Sequence, residues 1–169
     1  MPLNLEVKIK VDSFSSLLRK LKFINAKYTS TLNQRDIYYK NEDALLKLRI
    51  ENGKESLIRY NRNEKAKNRF SDYQVIHLMS KGTEKFFEKL FDVEVIVDKN
   101  RKLYMFDNTR IHLDDIKFLG KFIELETLVI NGKRDARKRF DFLVSALDLN
   151  LNNQIRKSNF HLMKSYLKK

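Results

Sequence analysis

Thr109-Arg110-Ile111-His112-Leu113-Asp114-Asp115, followed after a Leu119-Gly120 corner by Phe122-Ile123-Glu124-Leu125-Glu126, is the stretch that decides how this chain folds. Read with the two-residue period of a strand, Arg110, His112 and Asp114 share one face, and Ile111 and Leu113 share the other. The second stretch repeats the design, with Phe122, Glu124 and Glu126 on one side and Ile123 and Leu125 on the opposite side. Two successive strands thus aim charge one way and aliphatic carbon the other. A wetted face and an enclosed site both explain that pattern, so the rest of the chain must separate them.

The same alternation recurs upstream. Leu3 to Val11 sets Leu3, Leu5, Val7, Ile9 and Val11 against Asn4, Glu6, Lys8 and Lys10. Asp12 or Ser13 then reads as an N-cap for a helix carrying Phe14, Leu17, Leu18, Leu21 and Ile24. Residues 26–31 read as a connection or short strand, and Gln34–Tyr39 as a strand. Leu45–Glu51 places Lys47 and Arg49 opposite Leu46, Leu48 and Ile50. Asn52-Gly53 is a hairpin signal returning through Ser56–Arg62, in which Ile58, Tyr60 and Arg62 share a face. A charged loop at 63–68, an extended Ser71–His77 and a short helix capped by Thr83 follow. Val93, Val95 and Val97 lead in phase to Lys99 and Arg101, with a bulge or turn expected at Asp98–Asn100. Downstream of the opening stretch, Asn131-Gly132 turns into a helix over 133–149, with Phe140, Leu143, Val144 and Leu147 inward. A last helix begins near Ser158, with Phe160, Met163 and Leu167 as its apolar side.

These elements make about eight strands, mostly antiparallel, with helices at the start, middle and end, in an α+β protein. At 169 residues the chain, 1–169, reads as a single domain; four Gly and one Pro leave no linker composition. Closing the sheet would remove its edges and enclose the polar strand faces, while helices cover the aliphatic outside. An open sheet with helices on one face and water on the other fits the same periodicity.

Composition narrows the chemistry. Cysteine is absent, which removes disulfides, thiolate catalysis and thiolate zinc sites, and the three histidines form no HExxH pair. No GxxxxGK[ST] or GxGxxG occurs, so any bound phosphate must be held by side chains. No apolar run approaches the ~20 residues of a membrane helix, and none resembles a signal peptide. A soluble cytoplasmic protein with no membrane partner is expected. The formal charge of +13 attracts polyanions, although a lysine-rich solubilising surface explains it equally well.

The polar strand faces collect seven cations (Lys8, Lys47, Arg49, Arg62, Lys99, Arg101, Arg110) and four carboxylates (Glu6, Asp114, Glu124, Glu126). Singly, each has an ordinary reading: Lys47 or Arg101 as a surface cation, Glu124 and Glu126 as exposed strand acids, His112 as a hydrogen-bonded strand histidine. As a set in consistent phase they suit a polyphosphate with a divalent metal. Arginine and lysine take phosphate oxygens, and carboxylates hold Mg²⁺ or Mn²⁺. Enclosed charges without such partners would be costly to desolvate.

Several stretches carry a family resemblance. Asn4-Leu5-Glu6-Val7-Lys8 resembles the N-terminal ExExK signature of the CYTH family, the triphosphate tunnel metalloenzymes. The likeness continues through Arg35–Tyr39, Leu46–Arg49, Leu57–Arg62, Ser71–Tyr73, Lys99–Arg101, Thr109–Asp115, Leu119–Glu126 and Arg156–Ser158, and is strongest toward the class IV adenylyl cyclase-like branch. It implies an eight-stranded antiparallel β-barrel tunnel with a charged interior and helices packed outside, binding a triphosphate with Mg²⁺ or Mn²⁺. Carried over by position, Glu6, Asp114 and Glu124 stand near metal with Glu126 beside them. Lys8, Arg49, Arg62, Lys99, Arg101 and Arg110, with Lys47 on the face of Arg49, hold the triphosphate. Glu6, Lys8, Asp114 and Glu124 are the catalytic candidates. Three positions depart from the pattern: Asn4 replaces the first Glu of the signature, Lys121 stands where an acid is common, and Asn159 replaces an aromatic.

The resemblance implies conversion of ATP to 3′,5′-cyclic AMP and pyrophosphate, with hydrolysis of tripolyphosphate, thiamine triphosphate or a nucleoside triphosphate as the alternative. A third reading is a non-catalytic polyphosphate- or RNA-binding module using Arg134, Arg137, Lys138, Lys157 and Lys164; nucleic acid is the least favoured partner. An exposed strand edge or outer helix would serve a homodimer.

Overall fold

The computed structural model describes residues 4–41, 44–62, 71–79 and 82–168, with the side chains at 60–62 and 71–73 excepted. Among the described residues eight strands and four α-helices succeed one another along the chain. They are β1 (Asn4–Val11), α1 (Ser15–Phe23), β2 (Lys27–Tyr39), β3 (Leu45–Glu51), β4 (Lys54–Arg62), β5 (Ser71–Leu78), α2 (Thr83–Phe87), β6 (Val93–Phe106), β7 (Thr109–Ile116), β8 (Gly120–Leu128), α3 (Lys133–Ala146) and α4 (Asn159–Leu167). The strands form one antiparallel sheet in the order β1-β8-β7-β6-β2-β3-β4-β5.

Among the described residues the pairing runs as an open series from β1 to β5, short of the closed barrel that the resemblance implies. β1 and β5 end the ladder, and closure would require them to pair. The outer edge of β1 instead receives the segment after α3: Ile9 bridges Gln154, and the Ile155 N–H donates to the Lys8 carbonyl at 2.8 Å. Those contacts give backbone groups of Lys8 and Ile9 partners on the outer side of β1.

The chain groups into two compact units, residues 1–32, 100–116 and 120–156 in the first, and 33–99, 117–119 and 157–169 in the second. In the first, the aliphatic faces of β1, β7 and β8 meet α1 and α3. Val7, Ile9, Ile111, Leu113, Ile123 and Leu125 pack with Leu17 and Leu21 of α1 and with Phe140, Leu143 and Leu147 on α3 and its C-terminal end. Each fully buried aliphatic side chain contributes about 1.5–3 kcal/mol. The Thr109 and Thr127 hydroxyls, both fully buried, bond each other at 3.0 Å, so the polar atoms on this face are satisfied.

In the second unit, Ile37, Tyr39 and Leu48 are buried with Leu46, Ile50, Leu78, Phe87 and Ile96. The β3–β4 hairpin turns through Asn52 (φ 48°) and Gly53 (φ 79°), the paired left-handed residues that a two-residue turn requires. On the side chains' opposite face, Phe160 of α4 packs on Tyr38 with ring centroids 5.1 Å apart. That contact corrects the expectation that every helix lies on an aliphatic face, because Tyr38 shares its face with Asp36 and lies opposite Lys47 in the pairing.

Three local expectations change as well. β2 runs without a break from Lys27, and β6 passes through Asp98–Asn100 with no turn. Ser13 does accept from the Ser15 N–H at 3.0 Å, but Phe14 occupies the cap position. Thr83 is the first helical residue rather than the cap; Glu55 accepts from the Gly82 and Thr83 N–H groups at 2.8 and 3.1 Å. Those bonds hold the Glu55 carboxyl below its ordinary range against the upward push of burial.

Candidate functional site

The strand register turns the polar face of β1, β8 and β7 into a grid. Glu6, Glu126 and Arg110 form one cross-strand row, Lys8, Glu124 and His112 the next, and Lys10, Phe122 and Asp114 the third. Directly opposed strand residues have Cβ atoms about 5 Å apart, which sets Glu6 against Glu126, and Glu124 follows on the same face two residues along β8. Opposed like charges are destabilising unless a cation lies between them.

Protein cations meet part of that need. Lys8 Nζ stands 3.8 Å from Glu124, and Arg110 Nε stands 2.9 Å from Glu126. Arg101 donates from Nε and Nη2 to both oxygens of Asp114 at 2.6 Å, and from Nη2 to Glu124 at 3.2 Å. Asp114 is fully buried. Burial opposes the Arg101 charge, yet the Asp114 bonds and the nearby glutamates raise its pKa further above the usual arginine range. A two-point arginine–carboxylate pair is rigid as well as strong. It leaves Nη1 as the donor edge outside those bonds.

His112 belongs to the same group. It is 4% exposed, and its Nδ1 lies 4.0 Å from Glu124 and 3.9 Å from Glu126. Ligand atoms of His112, Glu124 and Glu126 all fall within 4.8 Å of one another. Bonds of about 2.0–2.2 Å to one ion would separate its ligand atoms by about 3–4 Å, so the triad is close to ligating geometry. The hard oxygens of Glu124 and Glu126, with Glu6 adjacent in the register, suit a divalent ion. Asp114 is committed to Arg101 on both oxygens.

The second unit carries its own cluster. Asp36 (1% exposed) accepts from Arg49 Nε and Nη2 at 2.7 and 2.8 Å and from Lys47 Nζ at 2.9 Å. Burial pushes the Asp36 carboxyl up, but Lys47, Arg49 and Lys99 outweigh it and hold it well below the carboxylate range. Lys47 Nζ also lies 5.3 Å from the Tyr38 ring centre. Lys99 is buried.

Sequence position had assembled Glu6, Lys8, Arg101, Arg110, Asp114, Glu124 and Glu126, and all seven stand in the first unit, on β1, β6, β7 and β8. Lys47, Arg49 and Lys99 stand in the second. The backbone of Arg62 pairs with Ser71 on β5, and its side chain lies outside the described residues, as does the 63–68 loop. Two residues escaped the reading. Asp36 was the one carboxylate on the Gln34–Tyr39 strand in phase with Tyr38, and that phase was its only signal. His112 was in phase, but a single strand histidine carries no spacing motif.

An antiparallel sheet that buries lysine, arginine and carboxylate on its strand faces defines the structural class. The chain belongs to the CYTH domain family, whose model matches residues 3–158. It is 28% identical over 173 residues to a Methanocaldococcus jannaschii protein named "Putative adenylate cyclase MJ0240", covering 95% of this chain and 98% of that one. Among solved structures, the PH1012 protein of Pyrococcus horikoshii OT3 superposes with a TM-score of 0.80 at 23% identity, over 96% of this chain and 99% of the other. A Hippeastrum protein, described as a "putative adenylyl cyclase" with a dominant triphosphatase activity, superposes with a TM-score of 0.69 at 12% identity, over 98% and 96%. These two likenesses concern the fold. No helix among the described residues is long and apolar enough to cross a membrane.

Proposed function

We propose that this protein is a metal-dependent enzyme acting on a triphosphate, and that its reaction is class IV adenylyl cyclase-like conversion of ATP to 3′,5′-cyclic AMP and pyrophosphate. The observation that carries the reading is the cross-strand grid of Glu6, Glu126, Glu124 and His112, flanked by Lys8, Arg101 and Arg110, in a chain of the CYTH family. The M. jannaschii relative's name supports the cyclase direction.

In this reading Glu124 and Glu126, with Glu6, are the metal-side carboxylates, and Mg²⁺ or Mn²⁺ is the ion. When bound, such an ion neutralises phosphate oxygens and makes phosphorus more electrophilic. Lys8, Arg101 and Arg110, together with Lys47, Arg49, Arg62 and Lys99, bind the triphosphate oxygens. The family resemblance brings these two sets of cations into one assignment. Asp114 acts through Arg101: by taking Nε and Nη2 it fixes the plane in which Nη1 is presented. Asp36 does the same for Arg49 and Lys47. The ATP 3′-hydroxyl oxygen bonds to the α-phosphorus, the bond from that phosphorus to the oxygen bridging it to the β-phosphorus breaks, pyrophosphate leaves with that oxygen, and the hydroxyl proton passes to water. Catalysis of such a transfer is positioning and charge stabilisation, which is what fixed cations supply.

Hydrolysis is the second reading, kept by the activity ascribed to the Hippeastrum protein of the same fold. Water then bonds to a terminal phosphorus through the same cations. Incubation with ATP and, separately, tripolyphosphate, each with Mg²⁺ or Mn²⁺, separates the two when products are resolved by anion-exchange chromatography. Cyclic AMP with pyrophosphate is the expected outcome; orthophosphate in its place selects hydrolysis.

A further inference from the structure

We infer that His112 is itself a metal ligand, and that its nitrogen makes the Glu124–Glu126 centre favour a first-row transition ion over Mg²⁺. The inference rests on the metal-dependent reading above and specifies the ion. Three observations carry it. The His112 ring is almost wholly buried on the charged strand face, where its direct cross-strand partner is Glu124. Its Nδ1 stands 3.9–4.0 Å from an oxygen of each glutamate, beyond hydrogen-bond length and near the spacing of two ligands on one ion. Each glutamate is also held from its other side or on the same oxygen by a cation, Glu124 by Lys8 and Arg101 and Glu126 by Arg110, which fixes the carboxylates with respect to the ring.

Ligand chemistry then sets the preference. Mg²⁺ demands oxygen donors and keeps its waters, whereas imidazole nitrogen suits transition ions. A site of two carboxylates and one imidazole therefore gains affinity for Mn²⁺ and Co²⁺ that it does not gain for Mg²⁺. Ligation through Nδ1 places the imidazole proton on Nε2.

The test uses the full chain without nucleotide. Co²⁺ binding is followed by visible d–d absorption and by calorimetry, and Mg²⁺ by competition. The expected result is a single Co²⁺ site whose affinity falls at least tenfold in His112→Gln, while Mg²⁺ affinity changes less than threefold. Equal weakening of both ions, or unchanged Co²⁺ affinity, overturns the proposal. Because His112 is buried, a measurement on the unsubstituted protein guards against misfolding of the variant. Pulsed EPR of the Mn²⁺-loaded protein must show coupling to a coordinated imidazole nitrogen, and its absence sinks the assignment. Glu126→Gln separates this from the broader reading. If it abolishes Co²⁺ and Mg²⁺ binding while the wild-type protein turns over neither ATP nor tripolyphosphate, the metal centre stands and the proposed reaction fails. If the triphosphates are turned over and only the nitrogen coupling is missing, the reaction stands and the role of His112 fails.

Discussion

Replacing Asp36 with Asn leaves Lys47 and Arg49 side by side without the carboxylate they share. Removing one member of a buried ion pair costs about 3–5 kcal/mol, and Asp36→Asn is expected to lower unfolding free energy in urea by an amount in that range at pH 7. The pH dependence follows from its depressed folded-state pKa. A carboxyl held low when folded contributes stability fully above its unfolded value of about 3.9 and loses it as pH falls below that. The wild-type protein should therefore lose more stability than Asp36→Asn between about pH 4 and pH 2; parallel acid limbs would contradict the assignment. At the same scale, the phases of Glu124, Glu126 and Arg110 could be read directly from residue alternation. The partnership of Asp36 with two cations from β3 could not, because it depends on the register in which Asp36 faces Arg49.

Strands β1, β7 and β8 were legible because one face of each is aliphatic and the other polar, so a one-residue shift would turn every aliphatic side chain toward the charged face. Less legible were the elements whose limits depend on neighbours. The start of β2 lacks alternation, with Lys27, Tyr28 and Thr29 all exposed, and only cross-strand bonding defines it. The C-terminal helix has Phe160 and Met163 buried, as the spacing predicts, yet periodicity does not say which sheet face receives them. The bridge from Gln154 to Ile9 on β1 was also beyond the alternation, because it joins residues far apart in the chain. The layer of α3 on the first unit provides a test at this scale. Leu143→Ala removes a fully buried side chain from the face shared with Leu17, Leu21 and the strands. It should cost about 2–5 kcal/mol by chemical denaturation while leaving Co²⁺ binding within about twofold, since the metal-side residues lie on the opposite face of the strands. A loss below 0.5 kcal/mol would contradict the packing described.

For the molecule as a whole, the charge of +13 divides into cations held on strand faces and cations on outer surfaces such as those of α3. Arg134 and Lys138 are exposed there. If triphosphate chemistry is what the protein does, the double substitution Arg134→Gln with Lys138→Gln should leave turnover within about twofold. It should also weaken any nucleic-acid binding, together with that binding's salt dependence, as expected of nonspecific contacts. Salt-sensitive nucleic-acid affinity that is lost with these outer charges, with no metal-dependent turnover in the wild type, would favour the polyanion-binding alternative. Family membership was legible in the ordered stretches from Glu6 to Ser158, whereas the choice of reaction turns on which phosphorus meets the nucleophile, a matter of substrate placement. The most direct measurement is ³¹P NMR of ATP and of tripolyphosphate incubated with Mn²⁺ and either wild-type protein, Glu124→Gln or Arg49→Ala. The account predicts metal-dependent conversion of at least one triphosphate by the wild type and a loss of at least a hundredfold in each variant; conversion that persists in both would contradict it.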